Sequence, residues 1–153
     1  MSVSPVHVAD AGPVRIAAVR RTVSRAELSR AVQAGCGRVW EYLRAQGVRG
    51  GRHVAIYRDG AITLDVGAEV SGAFTPSAEV VETTTPGGTI ATATLLGPYQ
   101  QLGAAHAAIR DWCVANGYTA AGPTWEIYGH WEPEWDADPG RIRTDVFHLV
   151  HPR

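Results

Sequence analysis

The chain repeats one order of secondary-structure elements, and this repeat constrains its fold more than any other feature. A predicted strand, helix, strand and strand span about residues 14–71, and the same order returns over about 89–150. Each predicted helix ends near a glycine, Gly47 or Gly117, and the Ile-Tyr dipeptides that follow lie 71 residues apart. This period is too long for a solenoid of short repeats. It predicts one α+β domain over residues 1–153, with a duplicated β-α-β-β unit, pseudo-twofold symmetry, antiparallel sheets, two main helices and a central groove where the halves meet.

The first helix is the clearest predicted element. Ser24 and Glu27 have the spacing of a capping box, which marks a helix start. The apolar residues that follow recur at helical spacing on one face, at Leu28, Val32, Cys36, Val39 and Leu43. Gly35 and Gly37 inside this helix each disfavour it by roughly 1 kcal/mol, which predicts close packing or a local bend there.

The second helix is predicted over about residues 100–116. Its apolar face consists of Leu102, Ile109 and Cys113, and His106 lies on the same face. A histidine in this position is interpreted as a core residue whose nitrogens are satisfied. The cysteines of the two helices both lie on apolar faces and are interpreted as buried, unreactive thiols.

The strands are predicted from runs of β-branched and aromatic residues. The Asp-Gly pair at 59–60 predicts a hairpin turn, and the Pro-Gly-Gly run at 86–88 predicts the turn of a second strand pair. An acidic loop at 132–140 carries Trp135, which could act as a mobile lid. The predicted strands are 14–19, 53–58, 62–70, 80–84, 89–96, 124–131 and 143–150.

Composition excludes several classes of protein. No run of 18 apolar residues exists, so no membrane span is predicted, and the N-terminus does not resemble a signal peptide. All 14 basic residues are Arg, which removes lysine chemistry such as Schiff bases. The two cysteines form neither a disulfide scaffold nor a thiolate metal site. We therefore expect a cytoplasmic protein without a metal or another cofactor.

Charge is distributed unevenly along the chain. Residues 1–60 carry ten Arg and four acidic residues, whereas residues 61–153 carry four Arg and eleven acidic residues. The net charge of −1, without a basic cluster, argues against direct binding to nucleic acid. The acidic second half is interpreted either as solvated surface or as a pocket wall that attracts cations.

The Trp-Glu-Ile-Tyr sequence at 125–128 is the most informative motif. Side chains alternate between the two faces of a strand, so Glu126 and Tyr128 share one face. The opposite face is interpreted as core, with Trp125, Ile127 and Trp131. A buried carboxylate needs a partner, a proton or a cationic ligand. Glu126 is therefore either an acid on a solvated sheet face or a pocket acid that binds a cation or transfers protons.

Aromatic residues are the candidate walls of such a pocket, because stacking and cation–π attraction bind planar or cationic organic molecules. Tyr57 is the repeat partner of Tyr128, and Tyr99 lies in a Gly-Pro-Tyr turn before the second helix. Trp40 and Trp125 complete the candidate ligand contacts, and both are also consistent with core residues.

Two stretches carry a resemblance to a known family: LLGPYQQLGAAHAAIRDWCVANGY and, after it, PTWEIY. Together with the repeat they resemble the GyrI-like small-molecule-binding family, over nearly the whole chain from Val14 to Val150. This family comprises effector-binding domains of AraC- and MerR-type multidrug-responsive regulators and stand-alone proteins. Leu96, before the Gly-Pro-Tyr turn, departs from the polar or basic residue that the family often has there.

The resemblance implies a ligand pocket between the two repeats, in which a carboxylate contacts lipophilic cations; the matching residue is Glu126, beside Tyr128. It implies a stand-alone protein that binds planar, lipophilic, cationic compounds for sequestration or sensing. It also leaves open a hydrolase that opens the cyclopropane ring of cyclopropanoid DNA-alkylating natural products, with Glu126 and Tyr128 as catalytic residues. A third expectation is a modulator of DNA gyrase. The first two cannot be separated from the sequence, because both use the same residues.

Overall fold

The computed structural model describes residues 2–59 and 63–153. Its contacts divide the chain into a first unit, residues 13–86, and a second unit, residues 1–12 with 87–153. The predicted α+β class with antiparallel strands and two main helices is confirmed. No helix within the described ranges is long and apolar enough to cross a membrane.

The elements follow one another along the chain in this order: β1 (Ser2–Val3), β2 (His7–Ala11), β3 (Arg15–Thr22), α1 (Leu28–Ala45), β4 (Gly50–Asp59), β5 (Thr63–Val70), β6 (Val81–Thr84), β7 (Gly88–Leu96), α2 (Leu102–Asn116), β8 (Tyr118–Tyr128), α3 (Glu134–Ala137) and β9 (Arg143–Pro152).

The two units share one strand order. The first unit has the order β4-β5-β3-β6, and α1 packs against β3, β4 and β5. The second unit has the order β8-β9-β7, with β1 and β2 paired to the other side of β7, and α2 packs against β7, β8 and β9. Each unit is therefore one β-α-β-β repeat with added edge strands, which are β6 in the first unit and β1 and β2 in the second. One domain across both repeats stays a prediction.

The start of the first helix follows from local backbone chemistry. The Glu27 carboxylate accepts hydrogen bonds from the backbone N–H of Ser24 at 3.0 Å and from its hydroxyl at 2.8 Å, as the capping box predicts. A short 3-10 turn then leads into α1. Gly35 is closely packed, because an added Cβ would lie 3.0 Å from the side chain of Val66. An added Cβ at Gly37 would meet nothing within 4 Å.

Both main helices end at the predicted glycines. The φ angles are 68° at Gly47 and 82° at Gly117, a left-handed conformation that glycine adopts without a Cβ penalty. At the end of α1, the N–H groups of Gly47 and Val48 donate to the carbonyls of Arg44 and Leu43 at 3.0 Å. These bonds satisfy the last carbonyls of the helix.

The buried faces of the helices also correspond, 70 residues apart: Gly35, Val39 and Leu43 in α1, and Ala105, Ile109 and Cys113 in α2. Burial raises the pKa of the Cys113 thiol, and it raises that of Cys36 to about 12. A thiol that stays protonated is a poor nucleophile. Cys113 is buried as predicted, whereas Cys36 is only half-buried, and the lack of reactivity of both thiols stays a prediction.

The prediction that strands 80–84 and 89–96 pair with each other is wrong. β6 pairs with β3, and β7 pairs with β2 and β9, rather than with each other across residues 86–88. The reason is that the N-terminal strands, which the sequence did not indicate, take the edge of β7. The predicted hairpin pairs β4 with β5, but Gly60 of its turn lies outside the described residues, as does Ile62.

Three tryptophans differ from their predicted environments. β8 ends at Tyr128, so Trp131 lies beyond the strand and is 51% exposed instead of in the core. The predicted acidic loop is partly helical, because α3 lies within it. Trp135 of α3 is buried and packs edge-to-face on Trp131, with ring centroids 5.3 Å apart. Trp40 is 44% exposed, because it follows the buried Val39 on the helix and turns away from the core.

Candidate functional site

Glu126 lies on the face of β8 that α2 covers, and it is 3% exposed. Tyr128 shares this face, since side chains two residues apart point the same way. Cross-strand partners also share a face, and β9 places Thr144 opposite Tyr128 and Val146 opposite Glu126. His148, two residues after Val146, completes the set. The site is thus built from one face of β8 and β9 and from the helix above them.

Both carboxylate oxygens of Glu126 take part in short hydrogen bonds. The Tyr128 hydroxyl donates to Oε1 at 2.5 Å, and Nε2 of His106 lies 2.7 Å from Oε2. Such distances are typical of charge-assisted hydrogen bonds. A strand neighbour and a helix residue therefore hold the carboxylate in one orientation.

His106 connects Glu126 to a second histidine. Its Nδ1 lies 2.8 Å from Nε2 of His148, and the two rings are 5.0 Å apart. Burial, together with the positive charges of His106 and Arg110, lowers the pKa of His148 to about 3. His148 is therefore neutral at physiological pH. Tyr128, Glu126, His106 and His148 are called the Glu126 network below.

Tyr99 extends the site toward the surface. Its ring packs edge-to-face on that of Tyr128, with centroids 5.5 Å apart and an interplanar angle of 78°. Tyr99 is 40% exposed and lies in the 3-10 turn that leads into α2. The fold therefore brings together three of the six predicted ligand contacts: Tyr99, Glu126 and Tyr128.

The other three predicted contacts belong to the opposite face of β8 or to the first unit. Trp125 points to the opposite face of β8, where it is buried and stacks on Phe147 at 5.3 Å. Tyr57 is half-buried on β4 of the first unit. Trp40 lies on the surface of α1 beside His53, with ring centroids 6.0 Å apart. The roles of these residues as ligand contacts stay predictions.

Sequence reasoning missed the two histidines of the network as site residues. The interpretation of His106 as a satisfied histidine is confirmed, but its partners are the candidate carboxylate and His148. His148 gave one usable signal: it lies on the inward side of β9, between Val146 and Val150, where the alternation calls for an apolar residue.

Two polar atoms of the second unit are buried without a hydrogen-bond partner among the described residues, Oγ1 of Thr144 and Oε1 of Gln101. Thr144 is the cross-strand neighbour of Tyr128, and Gln101 follows Tyr99 in the same 3-10 turn. Across the described parts of the chain, no group of three or more His, Cys, Asp or Glu side chains could hold a metal ion.

Comparisons with known proteins identify the family and the fold of the chain. The model of the GyrI-like small molecule binding domain matches residues 4–150. No curated protein sequence matches the chain. The solved structures described next are at most 16% identical to this chain, so their similarity shows a shared fold alone.

Three solved structures are similar over nearly their full lengths. The C-terminal domain of EcmrR is 16% identical, with a TM-score of 0.79 over 97% of this chain and 98% of that one. SAV2435 bound to tetraphenylphosphonium is 12% identical, with a TM-score of 0.63 over 96% and 94%. A hydrolase from Listeria innocua is 9% identical, with a TM-score of 0.60 over 95% and 91%. With its family match over almost the entire chain, the protein belongs to the GyrI-like small-molecule-binding domain family.

Proposed function

We propose that the protein binds lipophilic organic cations at the Glu126 network, as a sequestering or sensing module. The observation that carries this proposal is a carboxylate that is 3% exposed and held between Tyr128 and His106, with the Tyr99 ring packed on that of Tyr128. Aromatic faces attract cations and lipophilic surface alike. The negative charge of Glu126 adds an attraction that is strong where water is excluded.

Two further observations support a cationic ligand. The second unit carries eight acidic residues and four Arg, so its own field favours positive charge. SAV2435, which has a similar fold, was solved with tetraphenylphosphonium, a lipophilic cation. The carboxylate is also preorganised, because His106 and Tyr128 already fix its orientation before a ligand arrives.

A pair of ligands of the same shape and opposite charge tests the proposal. Tetraphenylphosphonium should bind in a calorimetric titration, and tetraphenylborate should not. Glu126→Gln should weaken phosphonium binding roughly 10- to 100-fold, as expected for the loss of one charge at an effective dielectric constant near 20. Glu132→Gln, which removes an exposed charge from the same unit, is the matched control and should bind as the wild type does.

Two outcomes would contradict the proposal. Equal affinity for the phosphonium and the borate would show that charge plays no part in binding. Unchanged phosphonium affinity in Glu126→Gln, with a native circular dichroism spectrum, would show that the ligand binds elsewhere.

A hydrolase is the second candidate, and the contact between His106 and Glu126 favours it. A carboxylate that is hydrogen-bonded to an imidazole can accept a proton from water as a general base. The water oxygen would bond to a cyclopropane carbon as a ring C–C bond breaks. The electron pair would move to the conjugated carbonyl oxygen, which takes up a proton with the Tyr128 hydroxyl as donor.

Mass spectrometry of the product separates the two candidates. A cyclopropanoid incubated with the protein would gain the mass of one water if the protein is a hydrolase, and Glu126→Gln would lose this turnover. Recovery of the compound intact, together with measurable binding, would support the binding module and exclude hydrolysis of that compound.

A further inference from the structure

We propose that His106 sets the charge that the Glu126 network presents to a ligand, so that binding of an organic cation releases a proton from His106. The inference rests on the proposed function and adds the residue that makes cation affinity depend on pH. His106 acts through Glu126 and is therefore a positioning residue.

The geometry suits a protonated His106. In that state both ring nitrogens carry a proton. Nε2–H donates to the Glu126 carboxylate at 2.7 Å, and Nδ1–H donates to Nε2 of His148 at 2.8 Å. The two donors of the imidazolium thus each have an acceptor, and the positive ring lies against the negative carboxylate.

The same geometry also suits a neutral His106. Nε2–H still donates to Glu126, while Nδ1 becomes an acceptor. His148 can then supply the proton of that second hydrogen bond by adopting the tautomer that is protonated on Nε2. Both charge states of the network therefore keep the same two contacts, and a proton can leave without any movement of the fold.

The groups around His106 determine which of the two histidines carries that proton. β8 contributes Glu126 and Tyr128, β9 contributes His148, and α2 itself contributes Arg110, one turn further on. Burial is the largest cause that lowers the pKa of His148, to about 3, so His148 is neutral while His106 carries the proton. Arg110 stays charged throughout. The proton that joins or leaves the pair is therefore assigned to His106, because this ring directly contacts the Glu126 carboxylate.

The consequence for a ligand follows from the sum of charges. With His106 protonated, the imidazolium cancels the charge of the Glu126 carboxylate, and a cation gains little. With His106 neutral, the network presents one negative charge. A cationic ligand and the proton therefore oppose each other, and by linkage each lowers the affinity for the other. Cation affinity rises with pH, whereas the affinity for an uncharged ligand of similar shape does not change.

Calorimetric titration of the wild-type chain with tetraphenylphosphonium tests the inference, because the charge of this cation does not depend on pH. From pH 5.5 to pH 8 we expect the affinity to rise about tenfold. Titrations at pH 5.5 in two buffers with different ionisation enthalpies should show the release of a proton, and titrations at pH 8.5 should show none. Triphenylphosphine oxide, which is uncharged, should bind equally across the range.

A pair of histidine variants assigns the effect. His106→Gln keeps a hydrogen-bonding side chain that cannot become charged, so its phosphonium affinity should be independent of pH and close to the alkaline value of the wild type. His130→Gln removes an exposed histidine from the same unit and should keep the wild-type profile. If His106→Gln does not fold, the number of protons that the wild type releases on binding phosphonium still tests the inference.

The outcomes separate this inference from the proposed function. Phosphonium binding without pH dependence or proton release would overturn the inference and leave the proposed function intact. A wild-type pH profile in His106→Gln would overturn the assignment to His106. Absence of phosphonium binding at every pH would overturn the proposed function, and the inference with it.

Discussion

Among the residues whose burial the structure describes, each unit buries one carboxylate, and the partners of the two carboxylates differ. Asp65 of the first unit is 1% exposed; Arg20 donates to both its oxygens, at 2.7 and 2.9 Å, and Arg58 donates to one at 3.0 Å. Burial alone would raise the pKa of Asp65, but the hydrogen bonds and charges of these arginines lower it. Glu126 of the second unit is held by His106 and a phenol instead. A guanidinium holds its partner ionised, whereas an imidazole allows the charge of the pair to change.

The strand registers show how the repeats diverged. Tyr57 pairs with Leu64 in the first unit as Tyr128 pairs with Thr144 in the second. Counted from these pairs and from the helix ends, the other network positions are occupied in the first unit by small or apolar residues: Ala55 for Glu126, Ala68 for His148 and Cys36 for His106. One repeat therefore packs a plain core where the other builds a polar network.

The largest expected effect concerns the carboxylate of the first unit. Asp65→Asn leaves the half-buried Arg58 without its charged partner, and the loss of these charge-assisted hydrogen bonds costs about 2–3 kcal/mol of unfolding free energy. Urea denaturation measures this loss, with the exposed Asp111→Asn as control. Glu126→Gln should cost far less, because a glutamine can still hydrogen-bond to His106 and Tyr128. Equal losses at Asp65 and Glu126 would contradict the distinction between the two sites.

An intermediate effect is expected in the helices. Gly35→Ala should destabilise the protein by about 1–2 kcal/mol, because the new methyl group would lie 3.0 Å from Val66 and 3.1 Å from Val19. α2 carries Ala105 at the matching position and accommodates it. Gly37→Ala in the same helix should instead stabilise by roughly 1 kcal/mol, since its methyl group meets nothing. Urea denaturation of both variants measures the contrast, and stabilisation by both would contradict the close packing at Gly35.

The smallest expected effect is at Thr144. Thr144→Val removes a hydroxyl that is buried without a partner among the described residues, so it should raise the unfolding free energy by up to about 1 kcal/mol. The first unit already has an apolar residue, Leu64, at this position. Thermal unfolding measures the change, with the exposed Thr119→Val as control. A clear destabilisation would show that the hydroxyl is hydrogen-bonded, and would remove this difference between the repeats.

Much of the fold was predictable because it depends on near neighbours in the chain. Ser24 and Glu27 cap the first helix through contacts three residues apart, and Gly47 and Gly117 end their helices through backbone geometry alone. The shared face of Glu126 and Tyr128 follows from strand alternation. The second strand pair was mispredicted because β7 pairs at its edge with the N-terminal strand β2, which is far from it in sequence.

The candidate site was only half predictable for the same reason. Tyr99, Glu126 and Tyr128 are visible as motifs, since each lies in a short pattern with its own local meaning. His106 lies 20 residues from Glu126, and His148 lies 42 residues from His106. His148 occupies an inward position of β9 where the alternation calls for an apolar residue, but the local sequence of neither histidine identifies its partners.

The order of amino acids alone settles the helix ends, the alternation of β8 and the duplication, because these depend on propensities and spacings within a few residues or on a repeat seen directly. The partners of Glu126 are decided by packing alone. The register of β8 against β9 and the position of α2 above them bring Tyr128, His106 and His148 into one chain of hydrogen bonds. These distances join residues far apart in sequence, and only the folded chain can set them.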